Sequence, residues 1–270
     1  MAVVLSFRGE VRRYGIWREA SASHYMVREF LSPVDFTKRD RPGASEIPVL
    51  KVNRMMAFAT GSYDYRFFTG LFFHRETGEL VKGVGNCQNG CGSVSHSYLA
   101  LDRVLRSDSY WEEEGTQILK LEPGVPLRFA EELPYLARMR ADGDVLLAGE
   151  PLASCRSMLH PENASAETAH LLGTEDACEE CADPSGTTTS GPASPRTLLK
   201  QELRIAHRGS ETQLLTTSGE IAARFTYDRS GFLVGWEIPG HERFRRVSVF
   251  RGPYWQRTAP ADRSILLGTR

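Results

Sequence analysis

Residues 63–73 read YDYRFFTGLFF and run into His74, Arg75, Glu76, Thr77 and Gly78. Eleven residues rich in aromatics and leading to a Thr-Gly turn predict one long β-strand. Side chains on a strand alternate between its two faces. One face is therefore Tyr63, Tyr65, Phe67, Thr69, Leu71 and Phe73, an apolar stripe that needs a core against it. The other is Asp64, Arg66, Phe68, Gly70, Phe72 and His74, where three ionisable groups and two aromatics surround a glycine. Such a mixed face suits the wall of a ligand cavity, in which a few polar groups orient a molecule held by apolar ones. Two-sided packing accounts for it as well, and Gly70 suits either case as a bend or a close backbone approach.

Outward from this strand the pattern repeats as strand, turn, strand. Asp142-Gly143, Ser218-Gly219 and Ser230-Gly231, like Thr77-Gly78, set a small polar residue and a glycine ahead of an apolar run. Glycine reaches the positive φ that tight hairpins demand. The expected strands are 11–18, 49–59, 63–74, 80–84, 117–121, 145–147, 198–207, 213–216, 221–227, 232–238 and 243–250. Consecutive hairpins make a mainly β protein, an antiparallel meander that closes into a barrel-like, lipocalin-like (calycin-like) fold or splits into two sheets. A few short helices are expected, at 98–105 behind Ser95 or Ser97 and at 131–139.

The chain has 270 residues, 41% of them hydrophobic and 25% charged, an ordinary globular composition able to bury a core without metal or disulfide support. Its 33 basic and 34 acidic side chains nearly cancel, so no whole-molecule field favours nucleic acid. The 28 arginines against 5 lysines are treated as background. No apolar run approaches the roughly 20 residues of a membrane span, and no basic start precedes an apolar stretch at the N-terminus. The default expectation is thus a cytoplasmic protein. Its five cysteines are then expected to be reduced. Cys87 and Cys91, with Cys178 and Cys181, have the paired spacing of a zinc site, but the second pair lies in a low-complexity segment with two glutamates between its cysteines, and no metal is assigned. That segment, 161–196, carries the run DPSGTTTSGP and reads as a disordered insertion. It divides an N-terminal part, 1–160, from C-terminal strands, 197–270, that complete the same domain.

Thr77-Gly78-Glu79-Leu80 followed by Asn86, Gly90, Val94 and His96 resembles a segment of the family labelled domain of unknown function 1838, over residues 72–96. There an aromatic strand leads into a TGE turn, an asparagine, a second glycine turn and a Val/His-containing strand. Val84 stands where that family has tryptophan, and Cys87 where it has proline. The resemblance implies no activity.

Three functional readings follow from the residues. The first is binding of a small, partly apolar molecule in a barrel-like cavity, anionic where Arg66 anchors it, with Tyr65, Phe68 and Phe72 as apolar contacts. The second is a cofactor-independent isomerase, hydratase or lyase using His74, His96 and Asp64 for acid–base chemistry, since histidine titrates near neutrality unaided. A strand-end His74 on the surface and a backbone-bonded His96 fit the same sequence. The third is an interaction module presenting the insertion or the Arg-rich strand 243–251. There Arg243 and Arg245 share one face and Arg246 the other, so the arginines do not form a single stripe, and ion pairing along a charged sheet edge explains them equally. No P-loop, dinucleotide fingerprint, nucleophile elbow or HExxH motif is present, and the oligomeric state is left open.

Overall fold

A computed structural model describes residues 2–41, 43, 45–61, 63–110, 115–121, 127–139, 143–148, 159–161, 196–198 and 200–256. The first eight strands are β1 (Ala2–Arg13), β2 (Ile16–Leu31), β3 (Ile47–Ala59), β4 (Asp64–His74), β5 (Leu80–Gln88), β6 (Ser93–Leu99), β7 (Val104–Ser109) and β8 (Thr116–Lys120). Then come β9 (Leu127–Arg128), a 3-10 turn (Ala130–Glu132), helix α1 (Leu133–Met139), β10 (Gly143–Ala148) and β11 (Leu159–Pro161). The remaining strands are β12 (Arg196–Leu198), β13 (Lys200–Arg208), β14 (Glu211–Leu215), β15 (Ile221–Tyr227), β16 (Leu233–Ile238) and β17 (Glu242–Gly252).

Fifteen of these strands form one sheet in the order β8-β7-β6-β5-β4-β3-β2-β1-β17-β16-β15-β14-β13-β10-β9, while β11 pairs only with β12. Every pairing in the large sheet is antiparallel except β9 with β10. The expected meander is thus present on both sides of the central β1–β17 pair, and β10, before the low-complexity segment, pairs with β13 after it. Between Pro161 and Arg196 that segment, with Cys178 and Cys181, lies outside the described residues. Among the described residues the end strands β8 and β9 are not hydrogen-bonded to each other, so the expected mainly antiparallel β fold is present as a curled sheet without a closed ladder.

Turn chemistry explains two departures from the expected elements. The single strand expected at 11–18 is cut by a two-residue hairpin in which Tyr14 (φ 53) and Gly15 (φ 70) both take positive φ. A Tyr-Gly pair conceals that turn, because tyrosine rarely adopts the left-handed region. The helix expected at 98–105 is instead the end of β6, a turn, and the start of β7, with Tyr98 opposite Leu105 and Leu99 opposite Val104. The helix expected at 131–139 is present as the 3-10 turn and α1.

Most of the core lies on one side of the curled sheet, and a smaller cluster of Leu31, Phe36 and Val49, with Phe72 against it, packs on the other face. On β4 the apolar stripe faces inward, with Tyr65, Thr69, Leu71 and Phe73 buried, while Asp64 and Arg66 are exposed on the other face. A single apolar cluster joins Leu5, Phe7, Phe58 and Tyr65 from one half of the sheet to Leu214, Phe225 and Trp236 from the other, and Leu133 of α1 sits within it. Tyr227 Oη donates to the Pro134 carbonyl (2.7 Å). The sheet is therefore wrapped around α1, whose apolar side chains fill the space between its halves.

Cys87 also points into this core and is disulfide-bonded, whereas Cys91 in the following turn is a free, exposed thiol. The expectation of fully reduced cysteines is corrected at this point. A bridged Cys87 has no thiolate to offer zinc.

Candidate functional site

The register of the sheet stacks the inward side chains into rows. One row is Phe7, Ala22, Met56, Phe67, Cys87 and Val94, all apolar but for the bridged cysteine. A parallel row four residues away is Val3, Met26, Val52, Leu71, Gly83, Tyr98 and Leu105. Between them runs Leu5, His24, Arg54, Thr69, Gly85, His96, Ser107 and Gln117, a belt crossing eight strands inside the sheet and polar on six of them. Burying hydroxyl, imidazole and guanidinium groups costs free energy unless each is hydrogen-bonded, so a belt this continuous has to be answered by something inside.

Part of the answer is the segment leading into α1. Thr69 Oγ1 donates to Glu131 Oε1 (3.5 Å), and Arg54 Nη1 reaches the Glu131 carbonyl at 3.5 Å. Arg54 Nε donates to His24 Nε2 (3.3 Å), so that nitrogen is unprotonated. The neutral ring then carries its proton on Nδ1, which donates to Tyr135 Oη (3.0 Å). Burial, and next the Arg54 charge, hold the His24 pKa well below the ordinary histidine value. The ring lies between Phe7 (centroids 4.8 Å) and the stacked indole of Trp236 (5.5 Å). Trp236 Nε1 donates to Glu242 Oε1 (2.6 Å), and burial pushes that carboxyl's pKa up.

Arg54 is the unusual member. Its side chain points inward yet is only half-buried, which marks open space beside it. The guanidinium stands 5.9 Å from the Trp236 ring centroid, and no carboxylate among the described residues approaches it within ion-pair distance. Arg128, by contrast, is buried with two carboxylates, Glu79 (2.7 Å) and Glu132 (3.4 Å).

The sequence-derived candidates fall in different places. His96 belongs to the polar belt and is buried. His74 ends β4 on the outer surface, where its Nδ1 accepts the Thr77 N–H (3.3 Å), and it borders an open cleft of about 360 Å³ with Phe36, Glu79, Leu80 and Leu101. Asp64 begins the same strand, about 34 Å away at 3.4 Å per residue. The structure therefore does not bring His74, His96 and Asp64 together. Arg66 is exposed beside Asp64 (3.7 Å), and Phe68 and Phe72 lie half-buried on the same outer face. Phe72 is approached there by Lys51 and Lys82, with ammonium-to-ring distances of 5.7 and 5.6 Å. Tyr65 alone of the ligand-binding candidates points inward, where its hydroxyl meets that of Tyr14 (2.6 Å) and its ring lies 5.0 Å from the Arg13 guanidinium. Arg54, His24, Tyr135 and Trp236 were not anticipated. Their signal is one polar residue within an apolar alternation, as in Leu50-Val52-Arg54-Met56-Phe58, repeated on successive strands.

The belt gives stability a pH dependence. With His24's folded pKa below its unfolded value near 6.5, the unfolded chain binds a proton that the folded chain refuses as pH falls below 6.5. Its contribution is complete above that pH and lost on acidification, by at most about 1.4 kcal/mol per pH unit. Glu132, raised by burial to about 7 against the pull of Arg128, acts with the opposite sign, since stability falls as pH rises from 4.5 toward 7. Urea unfolding of wild type and His24→Gln between pH 5 and 7.5 is expected to show the wild type losing more stability on acidification; parallel curves would contradict a neutral buried His24.

No family model matches the chain, and no curated protein matches it. Among solved structures it is similar to a β-barrel-like protein of domain of unknown function 1849 from Brucella abortus, at 10% identity over 93% of this chain and 98% of that one, with a TM-score of 0.39.

Proposed function

We propose that this protein binds a small, partly apolar anion inside the curled sheet, with Arg54 as the charged anchor in the role expected of Arg66. The observation that carries the reading is the Arg54 guanidinium itself: inward-facing, half-buried, beside an indole, and without a carboxylate partner among the described residues. The guanidinium has no carboxylate within ion-pair distance among the described residues, the buried Glu242 acting on it only at longer range, and a carboxylate, sulfonate or phosphate that takes its fork would supply the direct pair. Trp236, Phe7 and Tyr135 supply the apolar and aromatic walls common in ligand sites. The separation of His74 from Asp64 removes the acid–base set from which the enzymatic reading was built. Binding is therefore preferred to turnover.

The test uses 1-anilinonaphthalene-8-sulfonate, which joins a sulfonate to an apolar ring system. Wild type is expected to bind it saturably, and Arg54→Met, which keeps the apolar stem, to bind about tenfold more weakly, the value of one charged hydrogen bond. Equal affinity in the two proteins would refute the assignment of Arg54. Far-UV circular dichroism of the variant guards against a folding artefact.

A further inference from the structure

The β1–β2 hairpin reaches past its neighbours at one end of the sheet. Pairing of β1 with β17 stops at Val11 and Glu242, and pairing of β2 with β3 starts at Ala20 and Phe58. Beyond these limits the ladder consists of β1 and β2 alone, with Arg12 opposite Trp17 and Arg13 opposite Ile16. The ribbon is nevertheless held in place, because the Arg12 N–H donates to the His241 carbonyl (2.7 Å) and the Tyr14 hydroxyl meets that of Tyr65 (2.6 Å). At its tip Ile16 is 57% and Trp17 41% exposed. They are consecutive on a strand, so one points to each face. The segment 11–18, VRRYGIWR, carries three arginines and no acidic side chain.

We propose that this ribbon docks the protein on an anionic bilayer surface, its tip placing Ile16 and Trp17 among the lipids while Arg12 and Arg18 hold lipid phosphates. The two-faced exposure selects the partner. A folded protein covers one face of a ribbon, whereas a bilayer surrounds an inserted tip on both. Each face carries the same two chemistries, Trp17 opposite Arg12 on one and Ile16 two residues from Arg18 on the other. Tryptophan settles at the membrane–water interface, and arginine forks match phosphate. Both arginines are available for that role. The Arg12 guanidinium meets only the Gly15 carbonyl of its own turn (3.5 Å), and the Arg18 side chain has no hydrogen bond or ion pair among the described residues. Of the nearby acids, Glu10 is bound to Arg243 (2.7 Å), whose guanidinium also lies 5.4 Å from the Trp17 ring centroid, and Glu19 stands at the ribbon's base. Docking of this kind needs no spanning helix, and none among the described residues is long and apolar enough to cross a membrane.

The experiment is flotation of the full chain with vesicles of phosphatidylcholine alone and of phosphatidylcholine mixed in equal parts with phosphatidylglycerol. Wild type is expected to float with the mixed vesicles, less with the neutral ones, and less again as salt is added. Replacing Ile16 and Trp17 together by serine is expected to weaken binding to the mixed vesicles at least about tenfold. Arg12→Gln is expected to weaken it about fivefold and to leave binding to neutral vesicles unchanged. The three positions are exposed, and equal urea midpoints of the variants and wild type confirm that the fold is kept. No flotation with either vesicle, equal binding to the two, or binding that survives the serine substitutions would overturn the proposal. So would self-association of the wild type that those substitutions abolish, which would assign the tip to a second copy of the chain. Arg54→Met leaves the ribbon untouched, so failure of the interior site and failure of this one are read separately.

Discussion

Gly9→Ala is expected to lower the stability of the protein by at least about 3 kcal/mol, read as a fall in the urea midpoint at pH 7.5. A Cβ at position 9 would overlap the carbonyl oxygen of Arg243 and come within 2.7 Å of the Phe244 ring. Gly9 stands opposite Phe244 on one side and Ala20 on the other, in a strand paired along both edges at the centre of the sheet. Neither neighbour can withdraw without breaking a ladder, and Phe244 is stacked on Trp236 at 4.4 Å. Gly70→Ala makes a useful contrast. Its Cβ would meet only side-chain atoms, Val84 Cγ2 at 2.9 Å and Asn53 Oδ1 at 3.3 Å, on the outer face. Side chains there can yield, so a cost nearer about 1 kcal/mol is expected. Equal effects of the two substitutions would show that the close approach of β1 to β17 is not what holds the sheet's centre.

The second large effect is expected at Glu132, which lies fully buried where the chain enters the interior. Its Oε1 accepts the Phe129 N–H (2.8 Å) at the start of the 3-10 turn, and its Oε2 faces Arg128 (3.4 Å). Glu132→Ala leaves that N–H without its acceptor and leaves buried Arg128 with the exposed Glu79 as its remaining carboxylate. Loss of one partner from a buried pair, added to loss of a cap, is expected to cost about 3 kcal/mol at pH 8, where Glu132 is ionised. Glu132→Gln keeps an acceptor for Phe129 and is expected to cost clearly less. Because Glu131 and Tyr135 reach the polar belt from this same segment, the alanine variant is also expected to weaken binding of the anilinonaphthalene sulfonate. Unchanged stability in Glu132→Ala would mean that the segment is not anchored by this pair.

Much of the fold is legible in residues 63–74. Period-two alternation identifies Tyr65, Thr69, Leu71 and Phe73 as the buried face, and the Gly78, Gly219 and Gly231 turns, all at positive φ, place the hairpins. The cavity is less legible. The mixed face of Asp64, Arg66 and Phe68 reads as a cavity wall, yet it faces outward, because a curled sheet spends its most apolar stripe on the inside. The belt is hidden for a different reason. His24, Arg54, Thr69 and His96 align only once the register of five neighbouring strands, β2 to β6, is known. Strand slippage elsewhere in the sheet, at Ser6/Phe7, Phe72/Phe73, Leu214/Leu215 and Thr226/Tyr227, cannot be counted from residue spacing. Residues 131–139 announce a helix, but its position inside the sheet comes from long-range bonds such as Tyr227 to Pro134 and Tyr135 to His24.

The most direct test of an anion site inside the sheet is native mass spectrometry of wild type and Arg54→Met, purified side by side from the protein's own host with no added ligand. The wild type is predicted to carry an additional small organic anion that its denatured mass lacks, and Arg54→Met to fly without it. Identical native spectra for the two proteins would contradict Arg54 as the anchor of a binding site.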